Sequence, residues 1–110
     1  MQDFIAQILK KDRKAHIIAA GDFNEFTQVA PIQTFIKSSG LVDLDDAAKI
    51  PETERYTYLF DSNCQALDHM FISKELRYGV KYEHMHINTW QDKAGEVSDH
   101  DPSVALFDMC

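Results

Sequence analysis

The segment His16-Ile17-Ile18-Ala19-Ala20 is apolar, too short for a helix and stopped at once by Gly21. A buried strand is the economical reading of such a run. Helical periodicity surrounds it. Upstream, Phe4, Ile5, Ile8 and Leu9 share one face of residues 2–12, and Lys10, Lys11 and Arg13 follow where cations favour a helix C-terminus. Downstream, Pro31 suits a first helical turn, Ile32, Phe35 and Ile36 keep helical spacing, and Ser38-Ser39-Gly40 supplies the stop.

The remaining segments supply sheet. Residues 41–46 leave room for a second short helix, and residues 50–55 read as a polar loop. Tyr56-Thr57-Tyr58-Leu59-Phe60 has strand residue types, Asp61-Ser62-Asn63 is a turn cluster, and residues 66–73 return as a second strand, which predicts a hairpin. Residues 80–87 alternate loosely, placing Val80, Tyr82, His84 and His86 on one side. Residues 88–97 form a polar loop carrying Trp90, and residues 103–107 a final strand. The order predicts an α/β chain: one mixed β-sheet covered by helices on at least one face.

With 110 residues, one core is the ceiling. A hydrophobic fraction of 45% and a charged fraction of 26% are those of a packed globular protein and exclude a disordered one. The net charge of minus seven offers no basic footprint for coating nucleic acid. It suits carboxylates that hold a divalent cation. Cys64 and Cys110 are the only cysteines, so neither a disulfide framework nor a zinc spacing can be read. No apolar run approaches the roughly 20 residues of a membrane span, and residues 1–12 lack the layout of a signal peptide. The compartment is left open.

Three polar clusters fall at strand ends, where loops of α/β sheets build sites. The first is Gly21-Asp22-Phe23-Asn24-Glu25. Asp22 offers a carboxylate to orient or deprotonate water, and Asn24 an amide donor to an anionic oxygen, the pair that phosphoester cleavage needs. Alone, such a sequence is also an ordinary turn. The second is Leu67-Asp68-His69-Met70, in which alternation sets Asp68 on one face with Met70 and Ile72. A carboxylate there needs a partner, and a histidine is the natural one. His69 points the other way and reads as structural. The third is Ser98-Asp99-His100-Asp101-Pro102, a carboxylate beside an imidazole on a stretch stiffened by proline.

Taken in order, IIAAGDFN over residues 17–24, ALDHMFIS over residues 66–73 and VSDHDPSVAL over residues 97–106 resemble the C-terminal motifs of the endonuclease/exonuclease/phosphatase (DNase I-like) superfamily. The resemblance covers residues 1–108. It implies a metal-dependent phosphodiester hydrolase, most like the nuclease-type members, with nucleic acid as substrate. Asp22 would orient or deprotonate the attacking water, Asn24 would hold the phosphate or that water, and Asp68 would orient His100. His100 would stabilise the phosphorane-like transition state, and Asp99 would bind the metal, Mg2+ or Mn2+.

The resemblance also implies half of a four-layer α/β sandwich, so that residues 1–110 form a partial domain. Family members carry a metal-binding glutamate, an early asparagine and often another histidine in an N-terminal half that nothing in this chain supplies. Glu25 is no substitute and reads as a loop residue. An N-terminal half or a partner chain would complete the fold, and the isolated chain is expected to be inactive. The alternatives are a truncated, non-catalytic interaction module and a phospholipid or inositol-phosphate phosphoesterase. Tyr56 and Tyr58 read as packing residues. His84 and His86, with no carboxylate beside them in sequence, read as structural or solvated, and Trp90 reads as a candidate substrate contact.

Overall fold

A computed structural model describes residues 1–109; Cys110 lies outside the described residues. The chain is α/β, as its pattern predicts. Helix α1 (Gln2–Lys11) leads to strand β1 (Ile18–Asp22), helix α2 (Ala30–Ser39), the two-residue strand β2 (Val42–Asp43) and the short helix α3 (Leu44–Ala47). Then come β3 (Tyr58–Phe60), β4 (Asn63–Gln65), β5 (Asp68–Ile72), β6 (Lys81–His84) and β7 (Ser103–Leu106), with 3-10 turns at Glu52–Glu54 and Lys74–Arg77.

In place of the expected single mixed sheet there are three antiparallel sheets among the described residues. One is three-stranded in the order β1-β5-β2; the others are the pairs β3-β4 and β6-β7. The predicted hairpin closes on a nearer partner than residues 66–73. Phe60 pairs with Asn63 across Asp61-Ser62, both with positive φ, the two-residue turn whose twist suits a hairpin. That frees β5 to enter the central sheet between β1 and β2, antiparallel to both. Because β1 and β2 run the same way on either side of β5, the link through α2 has room to cross the sheet.

β5 organises both cores through its alternation. Phe71 points to a cluster of Ile5, Ile32, Phe35 and Leu41 under α1 and α2, and its ring meets those of Phe35 and Phe23 at 5.2 Å. Ile72 points the opposite way, to Leu44, Leu76 and Tyr82 beneath α3 and β6. Both side chains are fully buried, so this strand is covered on both faces. Gly40 stops α2 in the left-handed conformation, φ 77°, with its N–H on the Ile36 carbonyl.

Two expectations shift. Strand β1 is an edge rather than a buried strand: Ile18 is 49% exposed, and only Ile17 and Ala19 reach the first core. In α1 the inward stripe is Ile5 and Leu9, spaced by four, whereas Phe4 turns outward. The run also continues past Gly21, because β5 offers partners down to Asp68. That extra length positions the site.

Asp43 caps α3 by accepting the Asp45 N–H at 2.9 Å, while its Oδ2 has no hydrogen-bond partner in the protein. It is 4% exposed. Burial raises its pKa to about 6, with Asp45 and Asp46 adding repulsion against the Asp45 N–H bond that favours the anion. A carboxyl whose folded pKa lies above its unfolded 3.8 favours the fold fully below that unfolded value. The benefit is lost as pH rises through about 6, at a cost of about 3 kcal/mol. Asp43→Asn keeps the cap without the charge. We therefore expect it to raise Tm at pH 7.5 and to flatten the fall in stability between pH 4 and 7. Thermal melts of both proteins across that range check this, and a variant curve running parallel to wild type is the contrary result.

Candidate active site

The last pair of the β1-β5 ladder is Asp22 opposite Asp68. Cross-strand partners project to the same face, so the two carboxylates lie together at one end of the sheet. The third member arrives from far along the chain. His100 forms an isolated antiparallel bridge with Tyr58, and the neighbouring Asp101 N–H binds the Thr57 carbonyl at 2.7 Å. These contacts bring the loop before β7 over the ends of β1 and β5.

His100 Nδ1 donates to Asp68 Oδ2 at 2.5 Å, and its Nε2 stands 4.0 Å from Asp22 Oδ2. Thr57 Oγ1 donates to the same Asp68 oxygen at 2.6 Å and accepts the Asp68 N–H at 3.2 Å. The carboxylate is thus fixed from two sides, and it fixes the imidazole in turn, leaving Nε2 as the working nitrogen. Partial burial works against the charged ring. The Asp68 hydrogen bond and the charges of Asp68, Asp22 and Asp99 outweigh it and raise the His100 pKa above the usual 6.5.

Asn24 takes a left-handed conformation, φ 52°, and its N–H binds Asp22 Oδ1 at 2.8 Å. Asn and Asp tolerate this backbone better than other side chains do, which is the local reason for the Asp-Phe-Asn spacing. The turn holds Asp22 Oδ1 inward and directs Oδ2 toward His100. Asn24 and His100 line a shared open cleft of about 520 Å³, together with Asp99. His69 lies on the opposite face of β5, buried against Phe23 and Phe71 with Nε2 on the Glu25 carbonyl at 2.6 Å. It is structural, as alternation predicts.

Asp22, Asp68 and His100 each offer one possible ligand atom, all within 4.8 Å of one another. Two of the three donors are carboxylate oxygens, which fit a hard divalent cation that keeps part of its water shell. Asp68 Oδ2 is committed to Thr57 and His100, so the open carboxylate is Asp22, with its side chain 42% exposed. Asp99 lies outside this group of three. It is exposed on the cleft, and its charge is felt at His100.

Residues the motifs did not single out hold this arrangement. Thr57 is completely buried, and the alternation of Tyr56-Thr57-Tyr58, with a hydroxyl between two aromatics, was its only sequence signal. Asp101 accepts the Asn88 N–H, the Thr89 N–H and the Thr89 hydroxyl, clamping both ends of the 88–101 loop. Burial alone would raise its pKa, but these bonds and one from His86 lower it. Asn88 Nδ2 donates to the His100 carbonyl at 2.8 Å. His84 and His86 each meet carboxylates after all: His84 is buried between Asp45 and Ser103, and His86 lies between Asp101 and Glu54. Their partners differ, so they form no shared centre.

The arrangement has the parts of a water-activating and anion-stabilising centre: an oriented imidazole and Asn24 on one cleft, with the open carboxylate of Asp22 beside the imidazole. Comparison of the chain with family models, with curated proteins and with solved structures gives no match.

Proposed function

We propose that the chain carries the water-activating and phosphate-stabilising part of a metal-dependent phosphodiester hydrolase of nuclease type. The single observation that carries this reading is His100 clamped by Asp68 with Nε2 held 4.0 Å from Asp22. Asp22 takes the proton of the attacking water, and the neighbouring His100 Nε2–H donates to a phosphoryl oxygen, where negative charge develops. Asn24 supplies a neutral donor on the same cleft.

Asp22 orients and deprotonates water, Asp68 positions His100, and His100 and Asn24 stabilise the phosphate. The open oxygen of Asp22, beside Asp68 and His100, would also hold Mg2+ or Mn2+, and Asp99 on the neighbouring cleft would help to position the ion. The ion would supply Lewis-acid polarisation of the phosphoryl oxygen. So few free protein ligands hold such an ion weakly, and further ligands from a completing segment or partner chain would tighten it.

Hydrolysis of single-stranded DNA, RNA and a small diester by the completed site, with Mg2+ and after EDTA, tests the proposal. Cleavage should vanish with chelation and return when Mg2+ is restored in excess. Cleavage indifferent to EDTA would contradict it.

A further inference from the structure

The cleft at His100 has a floor that the proposed chemistry leaves unexplained. Tyr58 and Phe60 are two apart on β3 and project to one side. Their rings are nearly parallel, 7° apart in plane with centroids at 6.4 Å, and the Tyr58 ring lies 4.9 Å from that of His100. Phe60 is 61% exposed and lines the cleft with Phe26. Phe60 and Phe26 leave aromatic surface open to water beside the half-buried Tyr58, and such a patch marks recognition more often than it serves packing.

Charge narrows what can lie on this shelf. Among the described residues lining the cleft none is lysine or arginine, while Glu25 and Asp99 are both there. An inositol polyphosphate would bring several anionic groups against those carboxylates with no cation to meet them. A duplex presents rows of phosphates that need Lys and Arg, and it hides its base faces in its own stack. An unpaired nucleobase joined to one phosphodiester suits both halves of the cleft: its flat face meets the rings, and its phosphate meets His100.

We propose that Tyr58 and Phe60 form a stacking shelf that selects unpaired nucleobases beside the reacting phosphate, making single-stranded nucleic acid the substrate. The inference rests on reading His100 as the phosphate-contacting side chain. Its test is equilibrium binding, by fluorescence anisotropy in Mg2+, of a labelled five-nucleotide phosphorothioate strand, of the same strand with abasic sites, and of its duplex. The single strand should bind at least tenfold tighter than the other two. Phe60→Ala should remove about tenfold of that affinity without shifting Tm, because the ring is exposed, and Phe60→Trp should restore it. Equal binding of the abasic strand or the duplex, no binding of any strand, or an unchanged affinity in Phe60→Ala would overturn the shelf. Base-dependent binding without metal-dependent hydrolysis of any diester by the completed site would retain the shelf and refute the hydrolase reading. Hydrolysis of duplex as fast as single strand would do the reverse.

Discussion

His100→Ala is expected to lower phosphodiester turnover in the completed site by about 10²–10³-fold, while the fold melts within a few degrees of wild type. The two halves of that expectation have separate causes. Turnover falls because the imidazole is the one group able to carry positive charge among the described residues lining the cleft, and phosphoryl transfer depends on charge stabilisation and positioning more than on covalent chemistry. The fold persists because position 100 is held by its backbone, through the Tyr58 bridge and the Asn88 side chain. The His100 side chain itself is 23% exposed. Steady-state rates with a single-stranded oligonucleotide, alongside thermal melts, measure both. A tenfold loss or less would remove His100 from the chemistry, and a collapse in Tm would make it a structural residue.

The largest effect on stability belongs to Phe71. Phe71→Ala should destabilise the chain by about 3–5 kcal/mol, since the ring is fully buried between Phe23 and Phe35 and the space it leaves has no route to collapse. A domain of this size is stable by only about 5–15 kcal/mol, so the substitution consumes a large share of the total. Urea unfolding with both variants fitted to a common m value would show it. The loss should be far larger than that of Phe4→Ala, whose ring is 67% exposed. Equal losses at the two positions would mean that β5 is not the centre of the sheet.

What the sequence made legible follows physical range. α2 was legible at both ends, because Pro31 and Gly40 act within a turn of themselves. The faces of β5 were legible because alternation is local. Asp22, Asp68 and His100 could be nominated by residue type, and the structure brings those three together. Asp99 was nominated with them but lies outside the group.

Pairing was less legible, because partners are chosen across the chain. Residues 56–60 looked ready to pair with residues 66–73, and the nearer segment Asn63–Gln65 won through the geometry of its two-residue turn. Gly21 looked like a stop, whereas hydrogen bonds offered by β5 carried the strand one residue further to Asp22. The roles of Thr57 and Asp101 are hidden from the sequence for the same reason. A buried threonine that orients a carboxylate, or an aspartate that clamps a loop, is defined by contacts with residues 11 to 15 positions away.

The proposed chemistry depends most on Asp22, the open carboxylate facing His100. Turnover of one single-stranded phosphodiester by the completed site carrying Asp22→Ala, relative to the completed wild-type site in the same Mg2+ buffer, tests it most directly. A loss of about 10²–10⁴-fold with the fold intact is expected, the usual contribution of a positioned general base. Turnover within a few-fold of wild type would contradict it.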